Sequence, residues 1–115
     1  MNKNEFETFR EEMNQKILEK GTLNTKRFFS LDNSVYKKGA IPTKYKELMG
    51  LASSMVLRCE GCISYHINQC IKEGATDEEI FEAFDIALII GGSIVIPHLR
   101  EAVKFLEEAR KSEEI

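Results

Sequence analysis

The sequence lacks any apolar run long enough to cross a bilayer. Its longest nearly apolar stretch, Ile86 to Ile96, has eleven residues and is interrupted by Gly91-Gly92, whereas a membrane-spanning helix needs about twenty. That stretch reads as core. The opening residues, Met1-Asn2-Lys3-Asn4-Glu5-Phe6, lack the apolar segment and small-residue cleavage site of a secretory signal. A cytoplasmic location, where thiols stay reduced, is therefore expected. Basic excess is missing as well: a formal net charge of -3 offers no footprint for phosphate backbones, and nucleic acid is not an expected partner. Cysteine is scarce and odd in number, three in all, which argues against the stapled framework of a small secreted domain. No alternating strand pattern, internal repeat or low-complexity segment stands out.

What is present is a composition that folds. The 115 residues, 43% hydrophobic and 30% charged, suit one compact domain over 1–115, with N-terminal helices over 1–40 and a core over 41–110. Apolar residues recur at the helical period along almost the whole chain, as in Phe6, Phe9, Met13 and Ile17, so the expected fold is all-α with about six helices. The first runs from Asn4 to Lys20 and stops at Gly21; the second covers Thr25 to Lys38 and stops at Gly39. Thr43 is placed to cap a third helix, whose apolar positions Tyr45, Leu48, Met49, Leu51, Ala52, Met55, Val56 and Leu57 imply deep burial on a broad face, with Met49 and Met55 as core filler.

A fourth helix begins at Cys59 or Glu60 and runs to Lys72. Gly74 closes it, and Thr76-Asp77-Glu78-Glu79 opens the fifth as a capping box. The fifth helix carries Ile80, Phe81, Phe84, Ala87, Leu88 and Ile90 and breaks at Gly91-Gly92. Pro97 suits the first turn of a sixth, where Leu99, Ala102, Val103, Leu106 and Ala109 share a face. The charged tail Glu107 to Glu114 is expected to fray. The aliphatic surplus on the last two helices of so short a chain points to burial between subunits, hence a homo-oligomer.

Chemistry concentrates in Arg58-Cys59-Glu60-Gly61-Cys62-Ile63-Ser64-Tyr65-His66. His66 stands four residues after Cys62 and seven after Cys59, so the three share one helical face. At a helix start, unpaired N–H groups and the positive end of the dipole stabilise a thiolate, to which Arg58 would add. An imidazole one turn away can take a thiol proton near neutral pH. Glu47, on a helix otherwise so apolar, needs a partner if it faces inward, and His66 is a candidate. Spacing alone does not establish that contact. Cys70 reads as a small buried hydrophobe. His98 follows Pro97, belongs to no motif and reads as structural or surface; Ser64 and Tyr65 point away from the cysteine face, towards packing or subunit contacts.

The arrangement Glu47-x11-Cys59-x2-Cys62-x3-His66, followed by Gly-Ala-Thr-x-Glu-Glu-Ile at 74–80 and Gly91-Gly92, resembles the alkylhydroperoxidase D and carboxymuconolactone decarboxylase family over roughly residues 35–110. The resemblance implies an alkylhydroperoxidase D-like helical bundle assembled as trimers or hexamers. It also implies a dithiol that reduces organic hydroperoxides or disulfides and is recycled by a thiol or dithiol electron donor. Carried over residue by residue, Cys62 attacks the peroxide, Cys59 resolves it, and Glu47 with His66 relays protons, with no cofactor and no metal. The chain departs from the family pattern at Gly61, where a second histidine can stand, so its relay is shorter. The decarboxylases of the family lack this dithiol and act on a lactone, which makes the redox branch the better fit.

A second class of function stays open. C-x2-C-x3-H could hold zinc with Cys70, His98 or Glu47 as a fourth ligand, or the cysteines could serve structure alone in a noncatalytic, oligomeric binding protein of the same fold. A low-pKa thiol would separate the enzyme from both.

Overall fold

In the computed structural model, which describes residues 2–113, the backbone forms six α-helices and one 3-10 turn. The chain divides into two compact units, Met1–Lys38 and Gly39–Ile115.

The first unit consists of α1 (Lys3–Lys20) and α2 (Leu23–Val35). Each opens on a side chain that satisfies a backbone donor: Asn2 Oδ1 accepts from the Glu5 amide at 2.9 Å, and Thr22 Oγ1 from the Thr25 amide. No residue of either helix is buried. Of the apolar face expected on α1, Phe6 and Met13 are half-buried while Phe9 and Ile17 stay exposed.

The second unit holds α3 (Thr43–Val56), α4 (Glu60–Lys72), α5 (Asp77–Gly91), the 3-10 turn Ser93–Val95 and α6 (Ile96–Glu113). Helix α3 packs on both α4 and α5, and α6 lies against α4. Leu51 and Met55 of α3, Ile63 and Ile67 of α4, Ile80 and Phe84 of α5, and Leu106 of α6 fill the centre.

Several expectations need correction. Thr43 is the first helical residue and not the cap; Pro42 occupies the cap position and makes no side-chain bond there. Its fixed φ and missing N–H suit it to the helix entrance. The broad apolar face of α3 is only partly buried, because two neighbours cover half a helix: Tyr45, Met49 and Leu57 are exposed, so Met49 is not core filler. The run Ile86–Ile96 is likewise not core in this chain. It buries Ala87 and Val95 and leaves Ile86, Ile89, Ile90 and Ile94 in the open. The end of α6 does not fray within the described residues. Ala109 is fully buried, and Arg110 binds Asp77 Oδ1 at 2.8 Å and the Ala75 carbonyl at 2.7 Å, tying the helix to the start of α5. Glu114 lies outside the described residues.

Other boundaries follow the sequence. Thr76 and Glu79 form a reciprocal capping box on α5. At the end of α4, Gly74 takes φ +81°, and the bonds Ala75 N–H to Cys70 O and Gly74 N–H to Ile71 O form the Schellman closure that favours glycine.

Candidate active site

The connection between α3 and α4 repeats that closure with a different residue. The Cys59 amide bonds the Ser54 carbonyl and the Arg58 amide the Met55 carbonyl, each at 3.0 Å. Here the left-handed position is Arg58, at φ 60°, in place of a glycine. A side chain in that region carries a cost of about 1 kcal/mol, met by the two hydrogen bonds. The result is a sharp reversal that makes Cys59 both the last residue of the α3 closure and the N-cap of α4.

Cys59 acts as that cap through sulfur: its Sγ accepts from the Cys62 amide at 3.3 Å. The two cysteines, 5.2 Å apart at Cα, are joined as a disulfide. When reduced, a sulfur in this position faces the unpaired N–H groups and positive end of α4, which favour a thiolate. Cys62 is exposed and Cys59 half-buried. The approach past Gly61 is open, since a Cβ there would meet nothing within 4 Å.

One turn further along α4, His66 is buried, and its Nδ1 lies 2.7 Å from Glu47 Oε1 on α3, also buried. A carboxylate only accepts, so Nδ1–H is the donor, and in the neutral ring Nε2 is then the nitrogen that carries the lone pair. This is the contact that spacing left open. Two buried polar groups are tolerated because each satisfies the other; removing one partner would leave the second stranded at a cost of about 3–5 kcal/mol. Tyr65 packs edge-on to the imidazole at 5.1 Å between ring centres.

Gly50 makes room for the ring. A Cβ at this position of α3 would stand 2.7 Å from His66 Cε1 and 2.9 Å from both ring nitrogens. Sequence reasoning missed this residue, although a glycine in the middle of a helical pattern, where it costs about 1 kcal/mol relative to alanine, is a signal of close approach.

Cys70 is free and fully buried. Burial pushes its thiol up to about 12, with the negative charge of Glu47 and then Glu79 adding to the effect. It is held as a neutral thiol. Among the described residues no group of three or more His, Cys, Asp or Glu side chains is arranged to hold a metal. His98, near the start of α6, is not a plain surface residue: its Nδ1 bonds Glu60 Oε1 in the first turn of α4.

These features describe an all-helical protein with a disulfide-bonded cysteine pair at a helix N-terminus and a buried carboxylate–imidazole pair one turn further along the helix. The chain belongs to the carboxymuconolactone decarboxylase family, whose model matches residues 23–105. A Thermotoga maritima family protein described as "possibly involved in antioxidative response" shares 62% identity and superposes with a TM-score of 0.92 over 96% of this chain and 93% of that one. A Legionella pneumophila family protein is 31% identical with a TM-score of 0.70, covering 92% and 88% of the two chains. Alkyl hydroperoxide reductase AhpD of Corynebacterium aurimucosum is 31% identical over 62 residues, 54% of this chain and 35% of that protein's length. Among the described residues no helix is long and apolar enough to cross a membrane.

Proposed function

We propose that this protein is a thiol-dependent antioxidant oxidoreductase, a dithiol peroxidase of the reducing cytoplasm that turns over small organic hydroperoxides or disulfides, its 115 residues acting as one functional domain. The observation that carries the reading is the buried Glu47–His66 pair placed one turn from an accessible C-x-x-C at a helix start. A structural disulfide has no use for a buried acid–base pair beside it. The similarity to an alkyl hydroperoxide reductase and to a protein linked by description to an antioxidative response supports the same class.

In this reading His66, its Nδ1–H fixed by Glu47, takes the Cys62 thiol proton on Nε2. The Cys62 thiolate attacks the terminal peroxide oxygen and the O–O bond breaks. One oxygen stays on Cys62 as sulfenic acid, and the alkoxide takes the proton back and leaves as alcohol. The Cys59 thiolate, favoured at the N-cap, then attacks the Cys62 sulfur. The S–S bond forms, hydroxide leaves, and a proton completes water. Two thiols are oxidised and one peroxide reduced; an external thiol or dithiol donor returns the two electrons. Hydroperoxide consumption coupled to such a donor should fall at least 100-fold in Cys62→Ser and at least 10-fold in Glu47→Gln. Full activity in Cys62→Ser would overturn the reading.

The family resemblance also supports a homo-oligomer, a trimer or hexamer. Ile89 is 82% exposed and Ile90 68%, and Ile86, one turn back on the same face of α5, is exposed as well, an aliphatic face of the kind that marks a contact surface. Light scattering after size exclusion should give a multiple of 13.2 kDa, and Ile89→Glu should release the monomer. A wild-type monomer would contradict this assembly.

A further inference from the structure

Glu60 occupies the first turn of α4, adjacent to the cap residue Cys59. A carboxylate in a first turn is favourable for the helix but unfavourable for a thiolate next to it, since like charges disfavour each other's ionisation. The helix start thus carries two opposed influences on Cys59: its own N–H groups favour the anion, and the Glu60 side chain opposes it.

From α6, 38 residues away in sequence, His98 reaches this carboxylate through Nδ1. The His98 side chain is about three-quarters covered, with 23% of its surface exposed, whereas Glu60 is half exposed. It is the histidine that is held and the carboxylate that is caught. The other ionisable groups nearest Cys59 in sequence are Arg58 and Cys62; α4 also carries His66, which pairs with Glu47 of α3, while α3 brings Lys44 and Lys46 and α6 brings Arg100, Glu101 and Lys104.

We propose that His98 is a positioning residue for the dithiol: by engaging the Glu60 carboxylate it prevents that anion from acting unopposed on Cys59, and so keeps the reduced Cys59 sulfur ionisable. The inference rests on the reading of Cys59 and Cys62 as a working dithiol, but it concerns thiol ionisation and not turnover. It also assigns α6 a part in the site that its place in the fold, as cover for α4, does not require.

The test is the pH dependence of alkylation at Cys59 in the fully reduced protein, resolved from Cys62 by mass spectrometry, in wild type, His98→Gln and the double variant His98→Gln/Glu60→Gln. The His98→Gln midpoint should rise by about half a pH unit or more, the size expected when a neighbouring carboxylate is released to act on a thiolate through a largely aqueous medium. Deleting Glu60 as well should remove that rise. A purely structural latch behaves otherwise, because losing its second half cannot restore what losing the first half undid. The proposal is overturned if His98→Gln leaves the midpoint in place or lowers it, or if the rise persists in the double variant. Far-ultraviolet circular dichroism checks that the helices remain, and His98→Asn provides a second variant with the same expected sign. Absence of peroxide turnover alongside the rise and its reversal would sink the peroxidase reading and leave this inference standing.

Discussion

The two units of the molecule use the same helical period and reach opposite outcomes. In Met1–Lys38 the helices α1 and α2 carry apolar stripes and proper caps yet bury no residue; Leu23, Phe28, Leu31 and Val35 all lie more than half exposed. In Gly39–Ile115 comparable stripes close on one another and exclude water from a centre that includes Leu51, Met55, Ile67 and Phe84. The difference teaches that periodicity reports a helix with an apolar side and does not say what covers that side. A helix as short as α2, 13 residues, is marginal in water on propensity alone. The proposed oligomer supplies a natural cover for exposed faces in both units, and in that case the apparent melting temperature rises with protein concentration.

Alkaline pH should act on the second unit and spare the first. Cys70 sits in the second unit with its thiol pushed up to about 12 by burial, and the first unit holds no cysteine. A thiol whose folded value is raised contributes stability that is complete below the unfolded value and drains as pH climbs towards the folded one. Between about pH 9 and pH 12, unfolding free energy should therefore fall by about 1.4 kcal/mol per pH unit more in wild type than in Cys70→Ala. Urea titrations of the reduced proteins measure this, and parallel slopes would show that Cys70 ionises without penalty.

Truncation sharpens the same contrast at smaller scale. Leu51→Ala empties part of a fully buried site and should cost about 3 kcal/mol. Phe28→Ala in the isolated chain should stay within about 0.5 kcal/mol, and only assembly should make it matter. The smallest effect is a matter of sign. Gly50→Ala would gain about 1 kcal/mol in an open helix, but here the new Cβ meets the His66 ring, so the substitution should destabilise and lower peroxide turnover. Gly61→Ala, with open space around it, should be neutral or mildly stabilising by thermal melting.

The fold was largely legible. Six helices, the Gly74 and Thr76 boundary and the start of α4 at the cysteines all follow from period, caps and glycine, which act over a few residues. The shared face of Cys59, Cys62 and His66 follows from 3.6 residues per turn. What was not legible depends on partners far apart in sequence. The Glu47–His66 bond could be posed but not settled, because it joins two helices across 19 residues. The Glu60–His98 contact gave no signal at all. Arg58 in a glycine's place is a backbone feature that its residue type conceals, and the anchoring of α6 by Arg110 turns a charged tail into a packed end. The Ile86–Ile96 run is largely exposed where core was expected because hydrophobicity reports a surface that is better covered and not whether its own chain supplies the cover.

The most direct test of the account is a single turnover of the reduced, metal-free protein with a small organic hydroperoxide, following free thiols and the Cys59–Cys62 disulfide by mass spectrometry. The account predicts two thiols lost and one alcohol formed per peroxide consumed, with oxygen trapped on Cys62 as sulfenic acid in Cys59→Ser. Thiols that survive excess peroxide, or a sulfenic acid on Cys59 and none on Cys62, would contradict it.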